Sequence, residues 1–176
     1  MNERIVILLA SLLLWIPSPV FADNSQNPKM EGPYVRLGIG GGVGRDDNYA
    51  AIKLSGGIDL NRHLGVEAGA TAITNLFVAD VDFLYLSLIA KRAIGKRTTI
   101  AGKLGVVRWD SLIQPLFSSS LEDDGVNAMF GAELEYGLLS QLSIVLALEH
   151  YGSVDAGSSS GDEAIIIGTL NLGLRF

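Results

Sequence analysis

The sequence predicts an all-β protein, an eight-stranded antiparallel up-and-down transmembrane β-barrel. Three observations predict this fold. Apolar residues alternate with polar or small ones in segments of about ten residues. The connections between these segments alternate between short and long. Hydrophobic residues make up 48% of the chain, yet no apolar run long enough to span a bilayer as a helix is found.

The N-terminal 22 residues have the features of a removable export signal. Glu3 and Arg4 precede an apolar run over residues 5–16, which is too short to cross a bilayer as a helix. Val20 and Ala22 occupy the positions of a small-residue cleavage site. We therefore expect residues 1–22 to be a cleaved signal peptide, residues 23–32 a short polar leader, and residues 33–176 the barrel.

Each of the first four segments after the leader places apolar residues at every second position. Polar or small residues stand between them, which is typical of strands with two different faces. Their apolar faces are, in chain order, Val35, Leu37, Ile39 and Val43; Ile52, Leu54 and Ile58; Val66, Ala68, Ala70 and Ala72; and Leu84, Leu86, Leu88 and Ala90.

The last four segments follow the same rule, and the final one is the clearest. Their apolar faces are Ile100, Leu104 and Val106; Ala128, Phe130, Ala132, Leu134 and Tyr136; Leu142, Ile144, Leu146 and Leu148; and Ala164, Ile166, Gly168, Leu170, Leu172, Leu174 and Phe176. The total of eight segments is even, as bacterial outer-membrane barrels require.

The connections fall into two classes that belong to opposite ends of a barrel. Tight turns are expected at residues 61–63, 95–97 and 139–141, and longer polar links at residues 74–80, 110–124 and 152–163. A shorter link at residues 45–49 lies on the side of the long ones. In outer-membrane barrels the short turns are periplasmic and the long loops extracellular.

The polar face of the strands carries balanced charge. The residues are the cations Arg36, Lys53, Lys91, Lys103 and Arg175 and the anions Asp59, Glu67, Glu133, Glu135 and Glu149. An eight-stranded barrel is only wide enough for side chains to fill it, and charges there must pair. We therefore expect a plugged lumen.

Two alternatives remain open at this point. A narrow pore for small solutes is one, because the small residues Gly38, Gly40, Gly42, Gly105 and Ala147 leave some space on the lumen face. A soluble lipocalin-like barrel is the other, and it requires the reverse arrangement, with the charges outside.

The glycine-rich stretch at residues 38–44 does not have the spacing of a dinucleotide-binding loop. Val43 stands where the third glycine is required, and no helical pattern follows. We expect glycines on the lumen face to make room for long side chains.

Composition excludes several classes of function. Cysteine is absent, which excludes disulfides, cysteine–zinc sites and thiol catalysis. The net charge is −6, so the chain is not expected to bind nucleic acid.

The second half of the chain carries a family pattern. It comprises Arg108-Trp109-Asp110, the strand from Phe130 to Tyr136, Leu148-Glu149-His150-Tyr151 and the end Leu172-Gly173-Leu174-Arg175-Phe176. This pattern resembles the OmpA-like group of small outer-membrane barrels, over about residues 33–176. The resemblance implies a barrel-only member without a peptidoglycan-binding domain. It also implies that Phe176, with the apolar residues before it, is read by the barrel-insertion machinery.

The sequence departs from that group at three positions. Val145 and Ala147 occupy lumen positions where many relatives carry charge, and Leu174 replaces a frequent aromatic residue.

The residues argue against an enzyme. Lipid A deacylases place a His and a Ser two residues apart, whereas His150 and Ser153 are three apart and so lie on opposite faces of a regular strand. We expect His150, Trp109 and Tyr151 at the headgroup level, His63 in a solvated turn, and Glu133 with Glu135 in salt bridges. No catalytic, cofactor-binding or metal-binding residue is assigned, and no cofactor is expected.

The expected outer loops are strongly acidic. They carry Asp46, Asp47, Asp80, Asp82, Asp110, Glu122, Asp123, Asp124, Asp155, Asp162 and Glu163 against Arg45 and Arg108. Contact with anionic lipopolysaccharide would then need bridging Mg²⁺ or Ca²⁺. The expected partners are outer-membrane lipid, lipopolysaccharide and an extracellular partner of undetermined identity. The expected function is a non-enzymatic role in envelope integrity or surface interaction in the outer membrane.

Overall fold

The computed structural model describes residues 32–43, 48–74, 79–113, 121–154 and 163–176. The expected signal peptide, the leader up to residue 31 and the loop residues 44–47, 75–78, 114–120 and 155–162 lie outside the described residues. Within the described ranges, no helix is long and apolar enough to cross a membrane.

Eight strands form one closed antiparallel barrel. They are β1 (Gly32–Val43), β2 (Asn48–Asp59), β3 (Leu64–Thr74), β4 (Ala79–Ala93), β5 (Thr98–Ile113), β6 (Leu121–Gly137), β7 (Leu142–Val154) and β8 (Glu163–Arg175). Each strand pairs with the next along the chain, and β1 closes the barrel against β8. The fold predicted from the alternation is confirmed.

Three tight turns close one end of the barrel in the same way. The amide of the first turn residue donates to a carbonyl four residues on, from Leu60 to Leu64, from Ile94 to Thr98 and from Leu138 to Leu142. The short turns predicted near residues 61–63, 95–97 and 139–141 are therefore present. We call this the short-turn end and the opposite one the long-loop end.

The strands run further towards the long-loop end than the sequence indicates. A loop was expected over residues 110–124, but β5 continues to Ile113 and pairs with β6 from Leu121. Likewise, β2 begins at Asn48, β4 begins at Ala79 and β7 reaches Val154. In β5 and β6 the extensions carry polar residues at consecutive positions, Asp110-Ser111 and Glu122-Asp123-Asp124, so they lack the alternation that marks the rest of each strand.

The two faces of the barrel are inverted relative to those of a soluble protein. Leu104 is 66% exposed and Leu148 is 59% exposed, whereas their neighbours Lys103 and Glu149 are 4% and 1% exposed. The apolar side chains are therefore outside and the charged ones inside, which does not fit the soluble lipocalin-like alternative.

The interior has two layers. Charged side chains fill the part from the short-turn end to the middle, and a buried apolar layer fills the part towards the long-loop end. The apolar layer consists of Ala51, Ile73, Val81, Phe83, Tyr85, Val107, Trp109, Met129, Tyr151, Ile165 and Ile167. Trp109 and Tyr151 were expected at the lipid headgroups, and this expectation is wrong. Trp109 comes six residues after Lys103 on β5, and Tyr151 comes two residues after Glu149 on β7. Each therefore shares the inward face of its strand with a charged residue and is buried.

Candidate functional site: the charged lumen

All ten charges predicted to face the lumen meet in one continuous set of ion pairs, which we call the lumen network. It includes Arg36, Lys53, Asp59, Glu67, Lys91, Lys103, Glu133, Glu135, Glu149 and Arg175. Every one of the eight strands contributes at least one member. With five cations and five anions, the network is electrically neutral.

Glu67 lies at the centre of the network and is fully buried. Its Oε2 accepts hydrogen bonds from Tyr34 Oη and Arg36 Nη1, both at 3.0 Å. Its Oε1 accepts from Tyr85 Oη at 2.8 Å and from Lys103 Nζ at 2.5 Å. Four donors from three strands, β1, β4 and β5, therefore compensate for the burial of this carboxylate.

The ammonium group of Lys103 lies among three carboxylates. Its Nζ is 2.5 Å from Glu67, 2.7 Å from Glu133 and 2.9 Å from Glu149. Oxygens of these three glutamates lie within 4.8 Å of one another, a spacing that suits a metal ion. Here the side chain of Lys103 provides the positive charge at their centre.

The short-turn end of the network is closed by Arg175, Asp59 and Glu135. The guanidinium of Arg175 contacts Asp59 and lies 2.8 Å from Glu135 Oε1. Asp59 also pairs with Lys91. The Arg36 guanidinium bonds both Glu133, at 2.9 Å, and Glu135, at 3.2 Å. This confirms the expected salt bridges and leaves the pair of glutamates no freedom to act as an acid–base dyad.

Hydroxyl groups join the lumen network to the apolar layer above it. Lys53 bonds Glu149 at 2.5 Å, and Tyr151 Oη donates to the same carboxylate at 2.9 Å. The Tyr151 ring packs against Phe83, with centroids 4.8 Å apart. Sequence reasoning missed the roles of Tyr34, Tyr85 and Tyr151. Their signal was the alternation itself, since each shares its face with a charged or polar lumen residue.

Glycines make the space that these tyrosine rings occupy. A Cβ atom at Gly57 would lie 2.5 Å from Tyr34 Cζ, and one at Gly69 would lie 2.5 Å from Tyr85 Oη. In the glycine-rich stretch, the expected role holds for Gly38, which faces the Asn171 side chain. Gly40 instead allows a close approach of the β8 backbone at Gly168 and Thr169.

His150 and Ser153 do not form a nucleophile–base pair in the described residues. The His150 ring stacks on Phe130, with centroids 4.5 Å apart, and its Nδ1 accepts from the Gly152 amide at 3.1 Å. The pairing of β7 with β8 shifts register between His150 and Ser153, so both pair with outward-facing residues of β8, and the expectation that they lie on opposite faces is wrong. The imidazole is therefore held on the outer wall of the barrel.

Acidic side chains mark the long-loop end of the outer wall. Asp82, Asp110 and Asp124 pair across β4, β5 and β6 in one row. Arg108 lies one step lower, with its Nη2 at 3.6 Å from Asp110 and 3.4 Å from Asp124. The other acidic residues predicted in the loops lie outside the residues whose side chains are described.

No family model and no curated protein matches the chain. Its fold is similar to those of several solved structures. Neisserial surface protein A superposes with a TM-score of 0.71 at 11% identity, over 82% of this chain and 97% of that protein. The N-terminal β-barrel domain of Pseudomonas aeruginosa OprF gives 0.62 at 15% identity, over 81% and 97% of the two chains.

A third similar structure is that of Ail, the attachment invasion locus protein of Yersinia pestis, in complex with the heparin analogue sucrose octasulfate. It gives a TM-score of 0.57 at 21% identity, over 84% of this chain and 100% of that one. The chain therefore has the fold of the small eight-stranded outer-membrane β-barrels, as its resemblance to the OmpA-like group implied.

Proposed function

We propose that the protein is a non-enzymatic integral outer-membrane barrel whose role is structural or is performed by its acidic extracellular loops. The observation that carries this proposal is the inverted barrel, with aliphatic side chains outside and ten paired charges inside. Residues 1–22 would direct export and be removed.

The outer wall supports a membrane location on physical grounds. Leu37, Leu86, Leu146 and Leu170 are each more than half exposed, and they come from different parts of the barrel. Apolar surface left in water costs about 25 cal/mol per Å². A wall of this kind is stable where hydrocarbon covers it, as in transmembrane barrels.

The C-terminal strand supports assembly by the barrel-insertion machinery. Leu170, Leu172 and Leu174 face outward on β8, and the Phe176 amide donates to the Pro33 carbonyl at 3.0 Å. The end of the chain is thereby positioned beside β1, the strand with which the barrel closes.

The acidic long-loop end supports a particular class of external partner. Ail was solved with a polyanionic ligand, but such a ligand would be repelled by a long-loop end whose loops and strand ends carry eleven acidic residues against two arginines. We propose that a partner of these loops is cationic, or that divalent cations bridge them to the phosphates of lipopolysaccharide.

A narrow pore is the second function considered, and the interior disfavours it. The lumen network joins all eight strands, and the apolar layer above it includes Phe83, Val107, Met129, Tyr151 and Ile167, each no more than 1% exposed. An ion would have to cross both layers.

Membrane fractionation followed by gel electrophoresis of unheated and boiled samples tests the proposal. We expect a band in the outer-membrane fraction whose mobility changes on boiling, because a closed barrel resists detergent until it is heated. A soluble periplasmic band without a shift would overturn the membrane location and make a ligand-carrying barrel the better explanation.

A further inference from the structure

The geometry points to a binding site for an anionic phospholipid on the outer wall of β2–β5, at the short-turn end. This inference rests on the proposed membrane location and names one lipid class within it. The headgroup would contact a cluster of four exposed cations, and an acyl chain would occupy an apolar groove above them.

The cations belong to two neighbouring turns and the strand between them. Arg62 is in the turn between β2 and β3, Arg92 is near the end of β4, and Lys96 and Arg97 are in the turn between β4 and β5; all four are exposed. We call these four residues the basic rim. The Lys91 amide donates to the His63 carbonyl at 2.7 Å, so the first turn lies directly beside the end of β4.

No exposed carboxylate side chain balances the basic rim within the described residues. Asp59 and Glu135, the acidic residues of this end, are buried and paired inside the barrel. Among the acidic residues whose side chains are described, those that reach the surface, Asp82, Asp110 and Asp124, lie at the opposite end. The basic rim therefore presents uncompensated positive charge, which attracts anionic lipid surfaces.

Exposed apolar side chains among the cations favour a lipid over a soluble polyanion. Leu60 is 61% exposed, Leu64 is 50% exposed and Ile94 is 57% exposed, and they flank the cations in the same turns and strand ends. A hydrated polymer gives these side chains no cover, whereas the boundary between headgroups and acyl chains accommodates both kinds of group.

A groove in the wall above the basic rim provides the second part of the site. Its volume is about 420 Å³, within the range of pockets that hold small ligands. The small side chains of Ala68 and Ala70 form its floor, and Leu54, Leu84, Leu86 and Val106 are among its walls. Leucines on both flanks thus enclose a strip of β3 that has little side-chain bulk.

The distance from the basic rim to the groove fits an acyl chain whose headgroup lies at the basic rim. Ala68 and Ala70 follow Leu64 by four and six residues, about 13–20 Å along the strand. Strands tilted by about 40° convert this to about 10–15 Å of depth. One leaflet of hydrocarbon is about 15 Å thick, so the part of the groove at Ala68 and Ala70 lies in the same leaflet as the basic rim, and the groove continues beyond it to Arg108.

Electron paramagnetic resonance with spin-labelled lipids tests the inference. The barrel is reconstituted in phosphatidylcholine bilayers, and the association of spin-labelled phosphatidylglycerol is compared with that of spin-labelled phosphatidylcholine. One cation in contact with the headgroup corresponds to a preference of about fivefold for phosphatidylglycerol over phosphatidylcholine. We expect a preference of about fivefold or more for the unmodified protein. The preference should fall to near unity in a variant with Arg62→Gln, Arg92→Gln, Lys96→Gln and Arg97→Gln.

Two further variants separate the parts of the site. Gln141→Ala changes an exposed, uncharged side chain at the same end, in the turn between β6 and β7, and should leave the preference unchanged. Ala70→Leu fills the groove without a change in charge and should release the immobilised chain while part of the headgroup preference remains.

The outcomes distinguish this inference from the proposed function. A barrel that inserts and shifts on boiling but shows no lipid preference, or keeps it without the basic rim, overturns the lipid site alone. Binding of purified peptidoglycan by the basic rim without any lipid preference would also overturn it. Failure to insert into bilayers at all would instead overturn the membrane location.

Discussion

At the scale of single residues, Lys103 is the side chain on which the lumen network depends most. Its ammonium group is the shared partner of Glu67, Glu133 and Glu149, all buried. Lys103→Met would remove the cation at the centre of the three carboxylates and leave Arg36 and Lys53 as their remaining cations. We expect the free energy of unfolding to fall by about 3–5 kcal/mol, measured by urea unfolding in phospholipid vesicles.

The control is the exposed cation Arg108, whose side chain is 60% exposed. Arg108→Met should cost no more than about 1 kcal/mol. A second variant, Lys103→Met with Glu133→Gln, restores charge balance and should recover part of the loss. Equal losses in Lys103→Met and Arg108→Met would show that the network contributes little.

Two glycines, Gly69 inside a crowded site and Gly102 without close neighbours, allow the cost of an added methyl group to be compared. A methyl group at Gly69 would lie 2.5 Å from Tyr85 Oη and 2.7 Å from Ser55 Cβ, so the Gly69→Ala variant must displace the tyrosine that bonds Glu67. We expect a loss of about 1–3 kcal/mol in the same unfolding assay. Gly102 has no neighbour within 4 Å, and Gly102→Ala should change stability by no more than about 0.5 kcal/mol.

At the scale of elements, β8 permits a test of how deeply its outer face lies in lipid. Leu170 is near the middle of the strand and Ala164 near its start, and both point outward. Leu170→Lys should cost about 2–4 kcal/mol, and Ala164→Lys about 0–1 kcal/mol, because the cost of a charge falls towards the bilayer surface. Similar costs at both positions, measured by unfolding in vesicles, would contradict the orientation proposed here.

The elements also show where sequence reasoning succeeded and where it failed. Alternation located all eight strands and the inward face of each charge, because the interior and the outer wall of the barrel are different environments. It underestimated β5 and β6 beyond residue 110, where Asp110 and Asp124 face outward and no lipid imposes a pattern. It also placed Trp109 at the lipid headgroups, whereas the ring is buried in the lumen, because an aromatic ring suits both environments.

At the scale of the whole molecule, the two interior layers predict a barrel that does not conduct. We expect no steady conductance steps in planar bilayers, with a large porin in the same preparation as the positive control. Truncation of the apolar layer alone, by Phe83→Ala with Met129→Ala, should leave the barrel closed, because the lumen network lies below it. Stable steps from the unmodified protein would restore the narrow pore.

The contribution of all eight strands to the lumen network has a consequence for the order of folding. Arg36 on β1 finds Glu133 on β6, and Asp59 on β2 finds Arg175 on β8, only when the two ends of the sheet have met. An open sheet would keep these charges hydrated, so water must leave the interior in the same step that joins β1 to β8. In the proposed membrane location, entry into the membrane and neutralisation of the interior would then be one cooperative event, because a half-closed barrel would expose these charges to lipid.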